Sequence, residues 1–427
     1  MHPMRILHLS TSDIGGGAAR AAFRLHTGLQ RLGHQSTMLV LRRTSGQESV
    51  LQMKWSDNLV TRLRRSRRRR QIERDFALYH NTLPPGFENF SDDRTEAAYD
   101  LIHQLPPCDL INLHWVAGFV DYEIFFSHLP ANVPVVWRLA DMAPITGGCH
   151  YDLGCGKFTA ECGGCPVLGS SLDNDLSRQV WRRKSSALSK LPTDRLHVVG
   201  TSRWIAEQAK RSSLLGRFAS TVIPNGLDVD VFAPRDKMAS RDSLGVPREP
   251  KVVLFVADSA NIKRKGFEYL AAALAGISGQ TDIFLLSVGG GKPNVPNLPQ
   301  LHLGKIADDQ RLSTIYSAAD VFVIPSLQES FGQTVTESMA CSTPVVGFDV
   351  GGIPDMVRPK ISGALAPVGD SAALREAILG LLNNPQLRQE MSENCRRIAV
   401  REYSLQTQAQ NYVRYYESIL AGSATRG

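Results

Sequence analysis

Residues 321–348 read VFVIPSLQESFGQTVTESMACSTPVVGF, and the succession of patterns within them decides the fold. Val321–Ile324 is a short, continuous apolar run, the signature of a strand buried on both faces. Pro325 and Ser326 then break the run. Residues 334–340 read as a helix, and Val345–Phe348 is a second buried run. Two doubly buried strands joined through a helix make a parallel βαβ unit.

Outward from this unit the same alternation repeats. Upstream, residues 252–257 read as a strand and 266–274 as a helix. Residues 283–288 form a strand followed by Gly289, Gly290 and Gly291, and 309–317 a helix. Downstream, helices are predicted at 371–381 and 385–400. A doubly wound domain is therefore expected over 231–403, after a strand at 222–225 and the turn-rich stretch 226–234. The N-terminal half opens similarly. A strand at 5–10 leads through Gly15, Gly16 and Gly17 to a helix with Ala18, Ala22, Leu25, Leu29 and Leu32 on one face, then to a strand at 36–41. Further strands are expected at 110–113, 133–137 and 196–199.

The predicted fold class is α/β: two Rossmann-like, doubly wound domains facing a central cleft, where a ligand is expected. The first spans 1–230 and the second 231–403. Between about 43 and 105 the pattern dissolves into polar and basic chain, expected to be an insertion or mobile lobe. A last helix at 404–420 carries apolar residues at 405, 409, 412, 413, 416 and 419, so one face must be buried against one of the domains.

Length and composition agree with two ordinary globular domains: 427 residues, 43% apolar and 21% charged. No apolar run reaches the roughly 18 residues that span a bilayer. The opening segment reads as a strand and its loop rather than a signal peptide. Cytoplasmic residence is expected, with peripheral placement at the inner face of the membrane as a further expectation. The net charge of +7 is modest but uneven, with eight arginines between Arg62 and Arg74, including Arg67, Arg68, Arg69 and Arg70 in a row. Leu59, Val60, Leu63, Ile72 and Phe76, within and beside this run, suggest a basic helix or a helix-flanked loop. Such a segment suits an anionic membrane surface or a phosphorylated acceptor, and equally a solvated basic face. No nucleic-acid reader motif accompanies it, so nucleic acid is not the expected partner.

Cys149, Cys155, Cys162 and Cys165 fall in one short window. Four thiolates would suit a closed structural zinc site, with His150 able to replace one ligand; reduced, packed thiols are the other reading. Cys108, Cys341 and Cys395 lie in apolar or helical settings and are expected in the core.

Three stretches carry a family likeness: VIPNGLDVDVF at 222–232, SAADVFVIPS at 317–326, and ESFGQTVTE at 329–337 continuing through MACSTPVV at 339–346 to GGIPD at 351–355. In these the chain resembles the retaining glycosyltransferases of family 4, which have the GT-B fold. NLHW at 112–115, Trp137 with Asp141, and TGGCHY at 146–151 also resemble transferases of bacterial exopolysaccharide and colanic-acid-type assembly.

The resemblance implies transfer of a hexosyl unit from a nucleoside-diphosphate sugar to a hydroxyl, with retention. The implied acceptor is a polysaccharide or a polyprenyl-diphosphate-linked glycan. Glu329 would meet the donor sugar and Glu337 the nucleotide ribose. The amides of Phe331, Gly332 and Gln333 at a helix start suit donor oxygens. Lys265 matches the family's lysine before a glycine, and Arg264 or Lys263 would supply the arginine displaced from Ala257-Asp258. These cations would meet the charge of the departing diphosphate. Gly16 and Gly17 are candidates to receive an anion or sugar oxygen. The family's His-Asp pair is represented by Ala140-Asp141, so Asp141 is expected to orient a hydroxyl without that histidine; His114 and Asp13 are further polar candidates. Asp228-Val-Asp230 belongs to a hinge-like segment rather than a strand end, so no catalytic metal is expected. Two rival readings are a phosphorylase or sugar-phosphate synthase on the same fold, and a catalytically weak sugar-binding protein.

Overall fold

Successive residues of the first strand enter different cores, the mark of a sheet covered on both faces. Ile6 packs with Leu25 and Leu29, whereas Leu7 and Leu9 pack with Leu113, Val135 and Trp137. The computed structural model describes residues 3–424 other than 85, 87, 88, 131 and 278–281. The chain divides into two compact units, Met1–Pro224 with Gln408–Gly427, and Asn225–Thr407.

The first unit is built on β1 (Arg5–Ser12), β2 (Gln35–Arg42), β3 (Val50–Gln52), β4 (Leu110–Leu113), β5 (Val135–Leu139), β6 (Leu196–Gly200) and β7 (Ser220–Val222). Their order is β3-β2-β1-β4-β5-β6-β7, and every neighbouring pair is parallel. Helix α1 (Gly17–Arg31) connects β1 to β2. The strand order reverses between β1 and β4, which opens a crevice beyond their C-terminal ends. Ala409, Tyr412, Val413, Tyr416 and Ile419 of the last helix (Leu405–Ala424) pack with Ile6, Leu110, Val136 and Val199. Asn112 Nδ2 donates to the Tyr416 hydroxyl at 2.6 Å.

The second unit contains β8 (Lys251–Ser259), β9 (Ile283–Gly290), β10 (Gln300–His302), β11 (Val321–Ile324), β12 (Val345–Phe348) and β13 (Gly363–Ala366). Their order is β10-β9-β8-β11-β12-β13, again with parallel neighbours. Val252 and Leu254 enter one core, while Val253 and Phe255 enter the other. The switch point lies between β8 and β11, so the loops leaving these strands are placed to meet a ligand.

Residues 43–105, expected to be an insertion or mobile lobe, contain regular structure. They contribute β3, paired to β2, and α2 (Leu59–Ala77), whose Asn58 cap accepts from the Val60 amide at 2.8 Å. β3 escapes sequence reading because it is a three-residue edge strand with one buried residue, whereas α2 is the basic helix expected as one of two readings of the arginine-rich stretch.

Candidate functional site

Three loops leaving parallel strands converge on Glu329 in the second unit. The loop after β8 brings Lys265, whose Nζ lies 2.7 Å from Glu329 Oε2, and Arg264, whose Nη1 lies 3.4 Å from the same oxygen. Arg264 Nη1 also donates to the Gln328 carbonyl at 2.7 Å, and the Arg264 carbonyl accepts from the Leu327 amide at 2.8 Å. The exits of β8 and β11 are thus stitched together. After β12, the Gly352 amide donates to the Glu329 carbonyl at 2.8 Å. Two glycines are required by these approaches. Gly266 has φ +67°, and a Cβ there would stand 1.8 Å from the Pro325 carbonyl oxygen; Gly351 has φ +59°, and its Cβ would stand 2.0 Å from that of Glu329.

Glu329 is 7% exposed. Burial pushes its carboxyl up, but the charges and hydrogen bonds of Lys265 and Arg264 more than offset this and hold it at about 2. The carboxylate is therefore ionised, with both cations gathered on Oε2. Just upstream, the buried Ser326 hydroxyl finds no hydrogen-bond partner among the described residues.

Four residues after Glu329 a helix begins, Gln333–Ala340, preceded by Gly332 at φ +89°. Phe331 is buried against Tyr403, with ring centroids 6.2 Å apart. Glu337 lies on this helix but is not a solvent-facing residue: it is 6% exposed, and the Tyr316 hydroxyl donates to its Oε2 at 3.2 Å. Lys263, Arg264 and Lys265 share one short 3-10 turn. Two cations, a buried carboxylate and a helix N-terminus are together suited to an anionic group attached to a hydroxylated one.

The other candidates lie in the first unit. Gly16 precedes α1 with φ +90°, and Gly17 is its first residue. Asp13 is consumed internally. Its oxygens accept from the amides of Ile14, Thr44 and Ser45 and from the Thr44 hydroxyl. Burial opposes ionisation, but these bonds lower its pKa to about 2. The arrangement ties the β1 exit to the chain after β2. His114 is 1% exposed, with Nε2 2.8 Å from His8 Nδ1, and lines the pocket that also holds Asp141.

Asp141, after β5, takes part in a group that its sequence neighbours did not reveal. Its Oδ2 lies 2.6 Å from His150 Nδ1 and accepts from Trp115 Nε1 at 2.9 Å, while Oδ1 accepts from the Ala143 amide at 2.9 Å. His150 Nε2 lies 2.7 Å from the Ser91 hydroxyl. A pocket beyond β4 and β5 is lined by Ser91, Asp92, Trp115, Ala140, Asp141 and Lys184, among others. A histidine therefore does meet Asp141, from nine residues downstream rather than from position 140.

The four cysteines of the zinc expectation come together only in part. Cys149, Cys155, Cys162 and Cys165 all line one small pocket. Yet among the described residues no group of three or more His, Cys, Asp and Glu side chains is placed to hold a metal ion. Cys155 is exposed, whereas the other three are buried. Cys162 Sγ accepts from the Gly147 amide at 3.1 Å. A hydrogen bond with Cys165, together with burial, holds the Cys149 thiol well above its usual range. Cys149 and Cys165 thus bond to each other and Cys162 to the backbone.

Residues 250–384 match the family model described as Glycosyl transferases group 1. Among curated relatives, D-inositol 3-phosphate glycosyltransferase 2 of Catenulispora acidiphila is 35% identical over 192 residues, covering 41% of this chain and 45% of the relative. Phosphatidyl-myo-inositol mannosyltransferase of Mycobacterium leprae is 35% identical over 206 residues, covering 46% and 53%. The chain spans about half the length of the curated relatives it matches. Among solved structures, sucrose-phosphate synthase of Thermosynechococcus elongatus superposes with a TM-score of 0.65 at 21% identity, covering 98% of this chain and 100% of that one. Anabaena HepE, in complex with UDP and glucose, gives 0.67 at 17% identity, covering 97% and 100%. The architecture is that of the GT-B fold, and the match to the glycosyl transferases group 1 model lies within the second unit.

Proposed function

We propose that this chain is a retaining hexosyltransferase that takes its sugar from a nucleoside diphosphate and delivers it to a hydroxyl of a polysaccharide or polyprenyl-diphosphate-linked glycan. The observation that carries the reading is the Lys265–Glu329–Arg264 cluster at the switch point of the second sheet. In the proposed complex the donor diphosphate draws Lys265 and Arg264 onto its oxygens, beside the N-terminus of Gln333–Ala340, and the amides of Phe331, Gly332 and Gln333 contribute donors. Glu329, released from both cations, accepts from sugar hydroxyls, and Glu337 accepts from the ribose. The bond from the anomeric carbon to the phosphate oxygen breaks as its bond to the acceptor oxygen forms. The leaving diphosphate keeps the electron pair and takes the acceptor's proton. Lys265 and Arg264 stabilise the charge that develops there.

In the first unit, Asp141 is proposed to shape an acceptor pocket through Trp115 and His150, and Gly16 and Gly17 to present amides to a sugar or anionic oxygen. The printed names of the relatives make cyclitol phosphates and inositol lipids sensible acceptors to test beside lipid-linked glycans. HepE's bound UDP and glucose make UDP-glucose the first donor to test. The chain incubated with nucleotide sugars should release nucleotide only when an acceptor is present, giving a product of retained anomeric configuration. Binding without turnover across acceptors would support a sugar-binding protein instead, a reading favoured by Ala140 and by the internal bonds that occupy both oxygens of Asp141.

A further inference from the structure

Three side chains of the first unit form an unbroken chain of short polar contacts. Asp141 Oδ2 lies 2.6 Å from His150 Nδ1, and His150 Nε2 lies 2.7 Å from the Ser91 hydroxyl. Burial pushes the Asp141 carboxyl up, but the charge and hydrogen bond of His150, with the bonds from Ala143 and Trp115, more than offset it and keep the group an anion. A carboxylate on Nδ1 holds the ring proton there and turns Nε2 towards Ser91 as an acceptor.

The backbone fixes each member in place. Phe90 makes an antiparallel bridge to Cys149, and the Ser91 amide donates to the Gly148 carbonyl at 2.9 Å. The His150 amide donates to the Asn89 carbonyl at 3.3 Å, and the His150 carbonyl accepts from the Met142 amide at 3.0 Å. Asp141 and His150 are buried, whereas Ser91 is half-buried and lines the pocket beyond β4 and β5. The chain of contacts thus runs from a buried carboxylate to a hydroxyl on a cavity wall. That is the order of groups that activates a serine oxygen as a nucleophile.

We propose that Ser91, His150 and Asp141 are a nucleophilic triad that hydrolyses esters of short acyl groups. The cavity has a volume of about 20 Å³, room for a water or a methyl group, and Val116, Ala117, Ala140 and Pro144 give it apolar wall. An acetyl ester fits that space with its alcohol portion outside. Ser91 Oγ attacks the acyl carbon as His150 Nε2 takes the hydroxyl proton. The bond from the acyl carbon to the alcohol oxygen then breaks; the alcohol leaves with the electron pair and takes the proton from His150. Water, giving a proton to His150, attacks the acyl-serine and releases the carboxylic acid and free Ser91. Lys184, on the same pocket, gives two of its three protons to the carbonyls of Ala143 and Thr146, and its charge stabilises the oxyanion. The inference shares Asp141 and His150 with the proposed acceptor pocket but needs neither a nucleotide sugar nor sugar transfer.

The test is incubation of the full chain with a biotinylated fluorophosphonate, and separately with p-nitrophenyl acetate, both without nucleotide sugar. Stoichiometric labelling that mass spectrometry maps to Ser91 is expected, blocked by p-nitrophenyl acetate and absent from heat-denatured chain. Ester hydrolysis should open with a burst of p-nitrophenolate. Ser91→Ala should abolish the label and the burst while its melting transition persists. His150→Gln and Asp141→Asn, which keep the side-chain sizes, should each slow hydrolysis about a hundredfold or more. The proposal is overturned if the native wild-type chain takes no label, or takes it at another residue. It is equally overturned if Ser91→Ala or His150→Gln hydrolyses the ester at the wild-type rate, a result that would leave the sugar-transfer reading untouched.

Discussion

Lys265 Nζ and Glu329 Oε2 stand 2.7 Å apart, and Arg264 reaches the same oxygen at 3.4 Å. The lysine leaves β8 and the glutamate leaves β11, so the pair spans the switch point of the second sheet. Replacing Glu329 by glutamine removes the charge that holds the cations but keeps the side chain's size. The variant should bind a nucleoside diphosphate at least as tightly as wild type, since Lys265 and Arg264 no longer exchange a carboxylate for phosphate. Its single-turnover sugar transfer should fall about ten- to a hundredfold, the worth of a charged hydrogen bond. Weakened diphosphate binding with unchanged transfer would reverse the assignment.

The same pair governs acid stability. Glu329 has its pKa lowered from 4.5 to about 2. A depressed carboxyl contributes stability that is fully present above its unfolded value and is lost as pH falls through the folded one. Wild type should therefore lose stability between about pH 4.5 and 2 in proportion to this group, and E329Q should show a shallower slope there. Equal slopes in chemical denaturation across that window would show that the pair adds nothing.

Much of this site was legible in sequence, and the reason is local. The strand Val321–Ile324 and the helix after it are written in a short stretch, so Glu329 could be placed at a strand exit and Glu337 on the next helix. Their partners could not be placed, because Lys265 and Tyr316 reach them through tertiary approach. The burial of Glu337 is a property of packing around Tyr316 rather than of helical spacing. Asp141 failed differently: its sequence neighbour is Ala140, and the histidine that meets it arrives from a loop folding back at His150. Cysteine spacing suggested convergence, and the four do line one pocket, but spacing could not show that Cys155 is exposed while the other three are buried.

Glu337→Ala should weaken nucleoside-diphosphate binding about ten- to a hundredfold, by loss of charged hydrogen bonds to ribose. Tyr316→Phe, which removes the hydroxyl that donates to Glu337 Oε2 at 3.2 Å, should cost far less affinity. Calorimetric titration of both variants separates a ribose ligand from a structural acid.

The cysteines should respond unequally. Cys155→Ser should change stability by under about 0.5 kcal/mol, as exposed substitutions do, whereas Cys149→Ala and Cys165→Ala should each cost about 1 kcal/mol or more. A chelator should leave the melting temperature unchanged. Equal losses at all four positions, with melting lowered by chelation, would restore a shared metal.

Asp141→Ala strands the buried Ala143 amide, leaves Trp115 Nε1 only its 3.4 Å contact with His150 Nδ1, and leaves His150 held through Ser91. A stability loss of about 1–3 kcal/mol is expected from unsatisfied buried groups. Nucleoside-diphosphate affinity should be retained, since the proposed diphosphate ligands Lys265 and Arg264 are untouched. Thermal melting with and without nucleotide reads both effects.

The most direct test of the account is titration of a panel of nucleoside-diphosphate sugars into the wild-type chain and Lys265→Ala. One donor should bind the wild type with saturable affinity, and the variant should bind it at least about tenfold more weakly, as expected for a lost charge-assisted contact. A wild-type chain that binds none of the panel, or a Lys265→Ala variant that binds the same donor equally well, would contradict the assignment of the donor site to the second unit.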